Sequence, residues 1–266
     1  MIRRAFITLI AAVCGLAACA IAGCNGTGYV PVGKPMPTNA SATGVWGGTD
    51  SVTGLSVVGY IDSGGNAVFI RADGVQFVGV TQVSGATLVA AVVVYTNFDS
   101  SAGSTFKDGS TYGLGTLNGT VVTGSTLTLS LSFTTNGGTS GSGSWSLAFN
   151  TLSNSGSSLT AISANYTDTG SGSVISIGAD GVVTGQNPAN SCVLNGTVTI
   201  INSSYDTYQV SLTYENCTGS YAVLNGLQLT GLAVFNPNTS PKQLTISVAG
   251  ASSTSKFGLV LYLTGS

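Results

Sequence analysis

Polar and apolar residues alternate strictly in several stretches of the chain. In TLTLSLSF, Leu127, Leu129, Leu131 and Phe133 fall on one side, and Thr126, Thr128, Ser130 and Ser132 on the other. YQVSLTYE turns Tyr208, Val210, Leu212 and Tyr214 one way, and FGLVLYLT aligns Phe257, Leu259, Leu261 and Leu263. A period of two, with β-branched and aromatic residues bounded by Gly, Asn and Ser, predicts half-buried strands. The longest later apolar run, LVAAVVVY at 88–95, predicts a strand buried on both faces. It is far short of the roughly 20 residues a helix needs to cross a bilayer. No convincing period of 3.6 occurs beyond the N-terminal segment. The pattern therefore predicts an all-β body, an antiparallel sandwich or barrel.

Four short strings recur in the same order in both halves. IRADGV (70–75) is echoed by IGADGV (177–182), LNGTV (117–121) by LNGTV (194–198), LSLSF (129–133) by VSLTY (210–214), and LAFN (147–150) by LAVFN (232–236). The spacing differs between the halves. The echoes predict two weakly repeated β units, 44–156 and 157–266, either separate small domains or halves of one sandwich or barrel. The Asp-Gly and Asn-Gly pairs within them supply the positive φ that hairpin turns need.

The N-terminus follows a different pattern. Arg3 and Arg4 precede an almost wholly apolar run over 5–22, which reads as an export signal to be left out of fold reasoning. Its end carries Cys in LAAC and again in IAGC: an aliphatic residue, two small residues, then Cys. Both strings resemble the lipobox of bacterial lipoproteins. The resemblance implies cleavage before the Cys, lipidation of its thiol and attachment to a membrane. Cys24 is the favoured site, with Cys19 as the alternative, because starting at Cys19 would leave a second thiol exposed in the mature chain. The expected division is a signal over 1–23, a tether over 24–43 rich in Gly, Pro, Asn and Ser, and then the two β units. In that family a residue other than Asp after the Cys implies sorting to the outer membrane, and Asn25 fits, as Ala20 would.

Composition narrows the function. Only 6% of residues are charged and His is absent. A chain beginning at Cys24 has five Lys or Arg against nine Asp or Glu. That balance argues against nucleic acid, whose phosphates call for a basic patch. Without His there is no Ser-His-Asp or Cys-His site. Cys192 and Cys217, the pair outside the signal, predict a disulfide between the LNGTV strand and the far end of YQVSLTYE. No CxxC or ligand cluster accompanies them, so neither a metal nor a cofactor is expected.

The remaining strings are weaker. STFK (104–107) resembles the SxxK motif of serine β-lactamases and penicillin-binding proteins, in which Lys activates the Ser from one helical turn away. The Gly-rich DGSTYGLG follows at once and neither SDN nor KTG is present, so catalysis at Ser104 is not expected. STSK (253–256) repeats the spacing by chance. Gly44-Val45-Trp46 resembles the GxW of the first lipocalin strand, a match of three residues that carries no function over and leaves Trp46 as a core plug. Asp62, Asp73, Asp108 and Asp180 lie beside or near Gly, and read as turn formers rather than Ca²⁺ ligands or paired catalytic carboxylates. Tyr205 and Tyr221, in expected loops around the disulfide hairpin, are the candidate binding surface for a protein or glycan.

These readings converge on a non-enzymatic lipoprotein of the bacterial cell envelope, held at the membrane by its N-terminal lipid and binding a ligand or envelope partner. A structural or adhesive surface protein is the alternative, and a carboxylate-dependent hydrolase the second.

Overall fold

The computed structural model describes residues 38–98, 105–252 and 256–266. Cys19, Cys24, the signal, most of the expected tether and Ser104 lie outside the described residues. Two closed barrels of eight antiparallel strands follow one another along the chain. The first comprises β1 (Gly44–Asp50), β2 (Ser56–Ile61), β3 (Asn66–Arg71), β4 (Gln76–Ser84), β5 (Thr87–Tyr95), β6 (Tyr112–Val122), β7 (Thr126–Thr135) and β8 (Ser140–Asn150). The second comprises β9 (Ala164–Asp168), β10 (Val174–Ile177), β11 (Val182–Asn187), β12 (Cys192–Ile200), β13 (Tyr208–Glu215), β14 (Gln228–Asn236), β15 (Gln243–Ala251) and β16 (Lys256–Gly265). In each barrel every strand pairs with its sequence neighbours and the last returns to the first. Of the sandwich and the barrel, the chain forms the barrel, twice. Closure removes the unpaired edges through which β proteins associate.

The alternation works as read. Leu127, Leu129 and Leu131 point into the first barrel, and Tyr208, Val210, Leu212 and Tyr214 into the second. The run at 88–95 departs from expectation. Leu88, Ala90, Val92 and Val94 are buried, but Val89 is 41% exposed and Ala91 is exposed too, so most of the strand is buried on one face only. Ala and Val stand there where neighbouring strands carry hydroxyls. The outward rows of β6–β8 run Thr120–Thr128–Ser146, Asn118–Ser130–Ser144 and Thr116–Ser132–Ser142.

The sequence echoes do not mark equivalent strands. LNGTV lies on the sixth strand of the first barrel and the fourth of the second, while the ADG turns follow the third and the second strand. The longer interval in the first half holds β4 and β5, where the second half has only β11. What recurs is turn chemistry and strand patterning.

Aromatic rings plug the first barrel. Trp145 packs at a tilt against Phe69 and edge-on against Phe77, with centroids 5.2 and 4.9 Å away. Trp46 is wholly buried on β1, donates to the Ala42 carbonyl (2.9 Å) and meets Phe149 edge-on. Ala42 belongs to the end of the expected tether. Residues 39–43 dock on the barrel instead, through Ala40 N–H to Gly85 O (2.7 Å) and Ser41 N–H to Thr123 Oγ1 (2.8 Å).

A linker with a 3₁₀ turn (Thr151–Ser155) and one helical turn (Leu159–Ile162) joins the barrels. Their outer walls meet through Val45, Tyr60, Val68 and Ile70 on one side and Leu232, Val234 and Val260 on the other. A buried polar pair crosses this contact, the Ser247 hydroxyl donating to Gln76 Oε1. The second barrel has a short seam: β16 pairs with β9 over only three positions, Leu263–Gly265. Asp168 prolongs it by accepting the Tyr262 amide (2.8 Å). Beyond that the first barrel takes over. Phe98 N–H donates to Gly258 O (2.9 Å), and Asn97 Oδ1 accepts the Val260 amide (3.1 Å). The Phe98 ring then packs against the second barrel's core.

Candidate functional site

Rings and aliphatic side chains occupy the barrels, and two recesses open to solvent lie between them. One cleft of about 240 Å³ is lined by Asp62, Asn66, Val80, Gln209 and Thr230 over a floor that includes Val68, Val78 and Leu232. A second, about 200 Å³, lies among Ser56, Val58, Tyr60, Arg71 and Tyr262. Asp62 is committed to its own turn: Oδ1 accepts the Gly64 and Asn66 amides, each at 2.8 Å, and Oδ2 accepts Asn66 Nδ2 at 2.6 Å. The first cleft therefore offers the Gln209 amide and the Thr230 hydroxyl beside an apolar floor. It contains no cation.

The other turn acids behave alike. Asp73 accepts the Val75 amide and Asp180 the Val182 amide. Asp108 accepts the Thr135 hydroxyl and the Ser110 amide, which hold its carboxyl far below the usual range. Among the described residues no three of His, Cys, Asp and Glu gather into a metal-sized cluster.

Two carboxylates approach a shared partner at the end of the first barrel. Arg71 chelates Asp73 through Nε (3.0 Å) and Nη2 (2.8 Å) and lies 3.6 Å from Asp50. Burial alone would push the Asp50 carboxyl up. The Val52 amide, the Thr53 hydroxyl, the Ser144 amide and Arg71 outweigh it, and the carboxyl ends below its ordinary value. A carboxylate so held is a poor general acid.

Asp206 is the opposite case. It is completely buried in the β12–β13 connection, and neither carboxyl oxygen has a hydrogen-bond partner. Burial pushes it up to about 7, against a downward pull from the Phe235 amide. Nothing in SSYDTY marks it beforehand, since the string reads as a polar turn.

Tyr205 and Tyr221 do not form one surface. They flank the two ends of β13, whose eight residues separate them by about 25 Å of strand. Tyr205 is half-buried. Tyr221 is half-buried as well, packed edge-on against Phe98 with centroids 5.3 Å apart. Cys192 and Cys217 are bonded and buried, and tie the start of β12 to the residue pair after β13, its hairpin partner. Asn225 braces the same point by accepting the Cys217 amide (2.7 Å). The described part of STFK places Phe106 against Phe133 of the first barrel.

Comparison with protein-family models, with curated proteins and with solved structures found no match.

Proposed function

We propose that this chain is a lipid-anchored, non-catalytic binding module of the bacterial cell envelope, which meets its partner in the clefts between its barrels. The observation that carries the reading is the first cleft, where an amide and a hydroxyl border an apolar floor between the barrels. An up-and-down barrel that holds a ligand keeps room inside. Here side chains fill both barrels, Trp46, Phe69, Phe77 and Trp145 in one and Tyr166, Tyr208, Leu212 and Ile246 in the other, so the reading rests on the cleft between them. The anchor rests on the charge, apolar run and Cys of residues 1–24. Two or more acyl chains suffice for stable attachment.

Palmitate labelling tests the anchor. Incorporation is expected to vanish in Cys24→Ser and to persist in Cys19→Ser. Photo-crosslinking in intact cells tests the binding site. A photoreactive residue at Val80, in the first cleft, should give a discrete adduct, and one at Val182, outside both clefts, should not. Equal behaviour at the two positions would sink the cleft reading.

A structural or adhesive role on the cell surface is the second reading, favoured by the uncharged hydroxyl rows of β6–β8. It requires an outward-facing body, so protection from added protease in intact cells would overturn it.

A further inference from the structure

One buried group is left unused by that reading. Asp206 sits where the β12–β13 connection meets the linker, its amide donating to the Ser153 carbonyl at 3.1 Å. From the first barrel the Tyr60 phenol faces it, from β13 the Tyr208 phenol, and from β14 the Phe235 amide. Tyr60 in turn meets Thr245 and Tyr262 of the second barrel. Both phenols are pushed upward by burial, so each stays neutral. Neither ion pair among the described residues involves Asp206. The neighbouring Thr207 hydroxyl is buried and also lacks a partner. A neutral carboxyl is tolerated in such a place, whereas a charged one, with only the Phe235 amide facing it and no partner in hydrogen-bond geometry, draws in water or moves out.

We propose that Asp206 makes the contact between the barrels responsive to pH: in its neutral form the linker and the β12–β13 connection stay docked beside β2, and its ionisation releases them. The inference is independent of the ligand and of the anchor. Docked, the carboxyl titrates at about 7; released, it returns towards 3.8. The released form therefore gains about tenfold in population per pH unit from roughly pH 4 to 7, and then levels off.

Hydrogen exchange on the full chain, corrected for the intrinsic rate, reads this directly. Between about pH 5 and 7, protection of 151–158 and 201–207 is expected to fall about tenfold per unit and then to flatten, while β6–β8 stay constant. Asp206→Asn should abolish the slope. A flat wild-type profile, or a slope retained in the Asn variant, overturns the proposal. If that variant fails to fold, the carbon-detected titration of Asp206 in the wild type decides: a midpoint near 7 supports the proposal, and one at about 4 overturns it.

Discussion

Phe98 of the first barrel and Tyr221 of the second meet edge to face, with ring centroids 5.3 Å apart. Phe257 completes the contact at 5.5 Å. The first barrel thus contributes a ring to the second barrel's core at the seam that β9 and β16 leave short. Phe98→Ala should cost about 3 kcal/mol. Both tryptophans of the chain lie in the first barrel, so fluorescence follows that barrel alone while circular dichroism follows both. The dichroism midpoint in denaturant is expected to fall and to part from the fluorescence midpoint.

Gly258 lies against the other barrel. A Cβ there would stand 2.5 Å from Tyr95 Cβ and 2.8 Å from Gln76 Nε2. Gly258→Ala should force the walls apart at a cost of about 1–3 kcal/mol. Faster exchange of the Phe98 amide, which is bonded to the Gly258 carbonyl, is the local readout.

Removing the disulfide by Cys192→Ser with Cys217→Ser should cost about 2–5 kcal/mol, because the bridge closes a 25-residue separation. The loss belongs to the second barrel. Dichroism should register it, and tryptophan fluorescence should keep its midpoint.

Asp206 also sets a sign for stability against pH. Its carboxyl is raised in the folded chain, from 3.8 to about 7. Its stabilising protonation is fully present below pH 3.8 and is lost as pH rises to 7, by up to about 4 kcal/mol. Asp50, whose carboxyl is lowered, acts in the other direction and weakens the fold only as pH drops below 3.8. Between about pH 4.5 and 8 the thermal midpoint of the wild type should therefore fall and then level, and that of Asp206→Asn should stay flatter and end higher.

Much of this architecture is legible in the chain, residue by residue. The strands at 126–135 and 208–215 follow from their period of two, and the disulfide from two cysteines set at the ends of a hairpin. Val89 and Ala91 mislead, because an apolar residue facing solvent looks the same in sequence as one facing a core. Closure of each barrel depends on pairing between β1 and β8 and between β9 and β16, contacts that no local pattern announces. The site is harder still. Tyr205 and Tyr221 are close in sequence, but a strand carries them to opposite ends. Asp206 becomes exceptional only through burial, beside groups as distant in the chain as Tyr60, about 150 positions away.

Strands β6–β8 contain no Lys, Arg, Asp or Glu, only hydroxyls, two amides and small or apolar side chains on their outward rows. Dissolved salt weakens attraction and repulsion between charges over about 8 Å at physiological strength, and has no such hold on a neutral hydroxyl. Contacts made by this wall of the molecule are therefore not weakened by charge screening as ionic strength rises.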